Sequence, residues 1–452
     1  MALIEGDSLD NYLRGTLEPD TILGYAGQDT LLGLQGDDNL NGGLGNDSLD
    51  GGTGNDYLDG GSRDQPADLR DYDTLIGGLG SDTLISGNSP DVMGLTFANG
   101  GDGNDFLYGQ PWSNDTLLGG NGDDYINSTT NSIFGADYSY DSLEGGSGND
   151  TLIGDGDALN GGSGNDLLSQ QFGDGIAFGG KGNDTIQFGI GRDSVDGGKG
   201  NDSLDGGAAN DTLVGSDGND TVKGGQYSIY SRYAIYTGGG SDLIDGGAGN
   251  DELYGGISFA FEEGGQDAVD NDTLIGGMGN DTLYGEEDSD LVEGGDGNDL
   301  LYGGGESTVF DNFGFTINTD SDDTLIGGQG NDILIGGGGN DLLRGGRGRD
   351  RLDGYGYATD IDTLTGWKDS DTFVLGNATS AYYQGDGYAI ITDWQKGDRI
   401  EVYGKINDYS IDTTQNKIGS DAKDTQIFYK SDLIGILQDL IQIDPTNSFV
   451  FV

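Results

Sequence analysis

The sequence predicts an all-β fold: a right-handed parallel β-roll, a β-solenoid with about eighteen residues per coil, ending in a C-terminal β-rich cap and a short helix. Three observations predict it: a glycine-aspartate period of nine residues along almost the whole chain, a short apolar-centred segment after each aspartate, and too few apolar residues for a thick core. Of 452 residues 92 are glycine and 33% are hydrophobic, and the formal charge is −61. Such a charge with so little apolar surface ordinarily leaves a chain disordered. Disorder does not require acids at a regular spacing, and here that spacing points to a multivalent cation as the counter-charge.

The unit is seen most simply in GGLGNDSLD from Gly42, followed directly by GGTGNDYLD from Gly51. About fifteen windows match GGxGxD strictly. Glycines reach positive φ and let a turn gather its carbonyl oxygens, while the aspartate adds a carboxylate to the same hollow. The next three residues read as a strand. In DTLIG from Asp73, Asp272 and Asp323, the middle residues Leu75, Leu274 and Leu325 are expected to point inward and their neighbours outward. One turn plus one strand is half a coil, so aspartates one coil apart stack at the strand spacing of about 4.8 Å. Stacked carboxylates repel unless a cation lies between them.

Alternate repeats fall on two edges. One is expected to carry Asp38, Asp56, Asp82, Asp105, Asp124, Asp150, Asp166, Asp184, Asp202, Asp220, Asp251, Asp281, Asp299, Asp332, Asp350 and Asp371, mostly in strict turns. The other carries Asp29, Asp47, Asp73, Asp115, Asp141, Asp193, Asp211, Asp242, Asp272, Asp290, Asp323, Asp341 and Asp362, where the glycines are usually broken. This phasing needs cryptic half-coils around Asp91 and Gly175 and treats the short repeat at Asp157 as a half-coil. The insertions 62–72, 128–140, 226–237, 257–271, 305–322 and 355–361 then all fall on the second edge. The expectation is a nearly continuous ion ladder on one edge and an irregular, loop-bearing edge opposite. About thirty half-coils make roughly fifteen coils and a rod of order 70 Å.

The roll is expected over residues 1–371, starting from the degenerate repeat GDSLDNYLR with Asn11 in the aspartate position, and the cap over 372–452. DTFVLGN, YAIITDW, GDRIEVYG and QIFY read as cap strands. Leu433, Ile434, Leu437, Leu440 and Ile441 have helical spacing, which predicts a short helix capped by Asp432 with Pro445 beyond its end.

Neither cysteine nor histidine is present, so disulfides, nitrogen or sulfur metal sites, zinc-protease helices and imidazole or thiolate catalysis are excluded. Oxygen-only coordination suits Ca²⁺, whereas Mg²⁺ keeps its waters. A pI of about 4.1 argues against nucleic acid or anionic lipid as partners. No apolar run is long enough for a membrane span, and Met1–Asp10 lacks the basic-then-apolar pattern of a cleaved leader. A catalytic pair of carboxylates has no specificity as a signal among 80 acids, so no enzyme activity is expected.

On these repeats the chain resembles the RTX, or haemolysin-type, calcium-binding nonapeptide repeat family over nearly its whole length. The resemblance implies Ca²⁺ between successive turns, bound by turn carbonyls and the sixth-position aspartate, and folding coupled to ion binding. Carried to the matching positions, it implies metal ligands at Asp38, Asp47, Asp56, Asp82, Asp105, Asp124, Asp150, Asp166, Asp184, Asp202, Asp220, Asp251, Asp281, Asp299, Asp332, Asp341, Asp350 and Asp371, with roughly fifteen or more ions. It further implies a secreted, extracellular or cell-surface protein exported by a type I secretion apparatus. The tail Phe449, Val450, Phe451 and Val452 is similar to that family's uncleaved signals, with Ser448 where many tails carry an acid. The expected role is a calcium-stabilised rod in a surface coat, matrix or adhesion. The alternative is an adhesin that binds a cell-surface glycan or protein through aromatic insertions bearing Tyr227, Tyr230, Tyr233, Tyr236, Phe259, Phe261, Phe310, Phe313 and Phe315.

Overall fold

The structure, a computed structural model, describes residues 1–61, 72–87, 95–109, 113–129, 140–225, 240–256, 271–286, 288–304, 321–355, 359–419, 422–440 and 443–452. The chain forms two compact units, Met1–Gly207 and Ala208–Val452.

In the first unit, Thr21–Ala26 lies between Leu3–Glu5 and Asn39–Leu44, all parallel, in the register Leu3 to Thr21 to Asn39. The alternate strands Tyr12–Arg14, Thr30–Gln35 and Ser48–Thr53 build a second parallel sheet in the same way. Each sheet therefore gains one strand per coil, the topology of a β-roll. The local cause is the strand's own pattern. In Thr74–Leu79 (TLIGGL) the second and fourth residues, Leu75 and Gly77, are buried. Leu75, Leu274 and Leu325 are all 0% exposed, as the two-residue strand period requires. The second inward position is glycine and adds no side chain, so each strand brings essentially one aliphatic group to a thin core.

Long connections leave this register intact. Ser48–Thr53 pairs directly with Thr74–Leu79, Leu49 opposite Leu75. In the second unit, Thr212–Asp217 pairs with Leu243–Ala248 and Leu291–Asp296 with Thr324–Gln329. The intervening chain in each case leaves a strand of the first sheet, such as Tyr57–Asp59, Thr221–Gly225 or Leu300–Gly304, and returns into the second. The aromatic residues Tyr227, Tyr230, Tyr233, Tyr236, Phe259, Phe261, Phe310, Phe313 and Phe315, like Asp91, lie outside the described residues.

One cryptic half-coil differs from expectation. The strand between Thr74–Leu79 and Thr116–Asn121 is Phe97–Asp102, which puts Thr96, and not Asp91, in the aspartate position. The other expected half-coils are present: Ile176–Lys181 follows Gly175, and Ala158–Ser163 follows Asp157.

In the second unit the closing strands extend the roll's own sheets. Ala389–Ile391 adds to Thr363–Lys368, and Arg399–Val402 adds to Thr372–Val374. An antiparallel ribbon of Tyr409–Asp412, Thr425–Tyr429 and Asp432–Leu437 joins them, and Phe449–Phe451 pairs with Arg399–Val402. The helix predicted from Asp432 is thus a strand. Asp432–Leu437 has a paired neighbour on each side and its last four residues are all buried, so it lacks the alternation of a half-exposed strand. Its β-branched Ile434 and Ile436 and interior Gly435 disfavour a helix. Ile441 of the predicted helix lies outside the described residues. The short helix lies later, at Pro445–Ser448: Asp444 accepts the Thr446 N–H, and Pro445 opens the helix where it was expected beyond the end of one.

The single-file core sets a clear expectation for stability. Leu152→Ala, at a position 0% exposed, is expected to cost about 2–5 kcal/mol in urea unfolding of the folded chain. Ile176→Ala, at an outward position 47% exposed, is expected to change stability by no more than about 0.5 kcal/mol.

Candidate metal centre: columns of buried aspartates

The turn before each strand repeats one geometry. The aspartate is buried, and its Oδ1 accepts the backbone N–H of the aspartate one coil earlier: Asp38 to Asp56 at 2.8 Å, Asp56 to Asp82 at 2.7 Å, Asp82 to Asp105 at 2.7 Å. In the first unit this column runs from Asp20 through Asp38, Asp56, Asp82, Asp105, Asp124, Asp150, Asp166 and Asp184 to Asp202. In the second it runs from Asp220 through Asp251, Asp281, Asp299, Asp332, Asp350 and Asp371 to Asp398. These are the residues phased onto the strict edge from the repeat, with Asp20 and Asp398 added at the ends. Asp20 was visible in principle, one full coil of 18 residues before Asp38, but its turn lacks the double glycine.

The second edge is more regular than its broken glycines implied. Asp29 donates to Asp47 at 2.8 Å, Asp272 to Asp290 at 2.8 Å, and Asp323 to Asp341 at 2.9 Å, the same bond as on the first edge. Among the described residues after Asp29, Thr96 and Gly175 take the aspartate's place and leave their rungs without a carboxylate. Asn11 stands in for aspartate at the column's start, with its N–H on Asp29 at 2.7 Å. Turns on both edges survive without their glycines because stacking imposes the conformation: Tyr25 and Glu286 on the second edge hold the second turn position at φ of 74° and 81°, as Leu34, Ser216 and Trp367 do on the first at 88°, 79° and 73°. Each such residue stores about 1–2 kcal/mol of strain.

A second ladder runs outside the first column. The residue before the aspartate is often asparagine, and its Oδ1 accepts from the next coil, Asn149 from Asn165 at 2.8 Å and Asn165 from Asn183 at 2.7 Å. This runs opposite to the aspartate ladder, so adjacent coils are braced in both directions. Asparagine's recurrence at the fifth repeat position was the available signal.

The aspartates' other oxygen decides the chemistry. At Asp56, Asp82, Asp105, Asp124, Asp150 and Asp166, Oδ2 is buried and meets no hydrogen-bond donor. It lies over the first glycine of its own turn: a Cβ on Gly51 would be 2.5 Å from Asp56 Oδ2 and 2.8 Å from the Gly77 carbonyl oxygen. At the fourth turn position a side chain on Gly80, φ 133°, would overlap the Gly54 carbonyl oxygen. Each hollow thus collects carboxylate and carbonyl oxygens and excludes side chains. Among the described residues no three acidic side chains gather at one point, so carbonyls must complete any coordination. The donor set fits a hard cation of six to eight oxygens, and Asp82, Asp105 and their counterparts would hold it.

Without a cation the column is strained electrostatically. Two ionised carboxylates at strand spacing repel by about 3 kcal/mol at an effective dielectric constant near 20. That matches or exceeds the roughly 1.5–3 kcal/mol of a hydrogen bond to a charged group. Burial accordingly pushes Asp56, Asp124 and Asp166 up to about 7 and Asp82, Asp105 and Asp150 up to about 6, offset in part by the N–H each accepts; neighbouring acids add to the rise. On the second edge, burial and then the charge of Asp362 push Asp341 up to about 9.

An unfolded aspartate titrates near about 3.9, so between about pH 4 and pH 7 the cation-free folded chain binds more protons than the unfolded one. Its stability is present at the acid end of that window and lost as pH rises through the folded values. Chelated protein is therefore expected to gain β-structure when acidified from pH 7.5 to 4.5, read by circular dichroism; an unchanged spectrum would show that the carboxylates do not oppose folding.

Comparison with known proteins matches this geometry to one description. The model for the RTX calcium-binding nonapeptide repeat matches residues 5–40, 32–62, 69–93, 97–111, 112–129, 141–168, 172–204, 189–222, 234–257, 269–292, 275–307 and 317–352, well over half of the chain. Comparison with curated proteins found no match. With oxygen-lined hollows repeated coil after coil and the repeat's own model spread along them, the chain belongs to the RTX calcium-binding nonapeptide repeat family and is a calcium-binding β-roll protein.

Proposed function

We propose that this protein is an extracellular structural element whose roll folds where Ca²⁺ is abundant, acting in a surface coat, matrix or adhesion. The observation that carries the reading is the unsatisfied Oδ2 recurring along the first column, at Asp82, Asp105, Asp124 and their counterparts. A buried carboxylate with an unmet oxygen is costly, and a divalent cation between coils meets it and cancels the repulsion in one step. The ions sit at Asp38, Asp56, Asp82, Asp105, Asp124, Asp150, Asp166, Asp184 and Asp202 in the first unit, and at Asp220, Asp251, Asp281, Asp299, Asp332, Asp350 and Asp371 in the second. Asp47 and Asp341 serve the second column. Binding and folding are then one equilibrium, and sensor-range or weaker affinity keeps the chain unfolded inside a cell and folds it after export.

Export proceeds by type I secretion on the C-terminal tail. Phe451 and Val452 are 38% and 44% exposed at the end of the final strand, within reach of a receptor. The repeat itself is a calcium-binding structural unit, and a role without catalysis accords with the absence of histidine and cysteine.

Metal analysis of protein gel-filtered in millimolar Ca²⁺ tests the reading. The expected content is about fifteen or more ions per chain; two or three would mean that most columns close without metal.

A further inference from the structure

The two columns also differ at the turn's first residue, which directly follows a strand and in an uninterrupted turn lies five places before the aspartate. On the first column it is glycine at every rung from Gly33 to Gly366, and a Cβ there would stand against the aspartate Oδ2. On the second column of the first unit the register puts Ser86, Ser128 and Gln170 at that position. Their N–H groups or strands occupy the same places in the ladder as Gly60 and Gly109: Gly60 N–H to Ile85 O at 3.0 Å, Ser86 to Tyr108 O at 2.9 Å, Ser128 to Ile153 O at 3.0 Å.

These side chains are buried, and the two serines, which open the turns of Thr96 and Asp141, reach the aspartate of the next coil. Ser128 Oγ donates to Asp157 Oδ2 at 2.7 Å, with the two residues 2% and 4% exposed. Ser86 Oγ donates to Asp115 Oδ2 at 3.0 Å, and Ser113 Oγ donates to the same oxygen at 2.9 Å. Gln170 does more. Gly175 stands in the aspartate position of its turn, and the Gln170 amide replaces the missing carboxylate: Oε1 accepts the Asp157 N–H at 3.2 Å while Nε2 donates to the Gly173 carbonyl at 2.9 Å.

We propose that these rungs of the second column, at Asp115, Asp157 and Gly175, are closed to Ca²⁺ because side chains of the protein already stand where the ion would lie. The inference rests on the calcium reading above and deepens it. A bound Ca²⁺ lies about 2.3–2.6 Å from a carboxylate oxygen. The Ser128 hydroxyl oxygen at 2.7 Å takes both that space and the oxygen's lone pair. It satisfies the carboxylate without adding positive charge, and the neutral Gln170 amide removes a carboxylate altogether. A rung of this kind costs no ion and holds its hydrogen bonds in the absence of calcium. The first unit therefore carries ion-dependent rungs on one edge and, at Asp115, Asp157 and Gly175 on the other, rungs that are complete in themselves. In the second unit a rung of the same kind occurs at Asp362, whose Oδ2 accepts from the buried Tyr383 hydroxyl.

Restoring the repeat's glycine tests the proposal. Ser128→Gly is expected to raise the Ca²⁺ content at saturation by one ion per chain, read by metal analysis on protein whose β-type circular dichroism is intact. The reciprocal Gly145→Ser, which puts a side chain against Asp150 Oδ2 on the first column, is expected to lower it by one and decides the matter if the first variant does not fold. An unchanged content in either folded variant overturns the proposal. Asp150→Asn keeps the two readings apart: it must lose one ion if the first column binds calcium, and a loss there with Ser128→Gly unchanged sinks the closed rungs alone.

Discussion

At Asp82, Asp105 and Asp124, one carboxylate oxygen is bonded to the neighbouring coil and the other is buried with no donor, and the rest of the structure depends on that division. The bonded oxygen sets the register of coil on coil. The unbonded one makes that register untenable at neutral pH unless a proton or a cation arrives. The preference for glycine at the first, second and fourth turn positions follows, since a side chain there fills the hollow, crowds the stacked carbonyls or is held at a strained φ. Much of the negative charge also follows, because most coils repeat the same two acids.

A core this thin is consistent with that account. One aliphatic residue per strand, as at Leu75 and Leu152, buries about 1.5–3 kcal/mol each, set against roughly 1–2 kcal/mol of backbone entropy for every residue ordered. Apolar burial alone does not hold nine residues in place with one leucine. The ladder bonds and the ions must supply the difference. The cap is built on another principle: Phe373, Tyr383, Ile400, Ile427 and Ile436 are all buried around the closing strands, giving the end of the second unit an ordinary apolar interior. Asp398, whose Oδ1 takes the Asp371 N–H at 3.1 Å, is where the column passes into that interior.

Much of this was legible in the sequence because the repeat ties residue type to geometry at fixed positions. The phasing of Asp38 to Asp202 and of Asp220 to Asp371 followed from the nine-residue period once half-coils were allowed around Asp91 and Gly175 and at Asp157, and the inward leucines followed from the two-residue strand period. Legibility failed where one geometry is built from different residues. Thr96 fills an aspartate position with no carboxylate to mark it, and Gln170 supplies from five residues away the acceptor that Gly175 lacks. Tyr25 and Glu286 on the second edge hold positive φ without glycine because their neighbours in the stack impose it, so a broken motif was mistaken for a broken turn. The strand Asp432–Leu437 was misjudged for a separate reason: burial on both faces erased its alternation and left an apolar run of helical spacing. The asparagine ladder was in plain view at the fifth position, but its hydrogen bonds link residues a whole coil apart, and a period alone does not reveal which atoms meet.

The claim that cations close the columns is tested most directly by far-ultraviolet circular dichroism of the chelated protein during a Ca²⁺ titration, with Mg²⁺ as the control. The account predicts a cooperative rise in β-structure with Ca²⁺ and none with Mg²⁺ at the same concentration. A full β spectrum in chelator at neutral pH, unchanged by either ion, would contradict it: the ladders and the thin core would then hold the roll unaided.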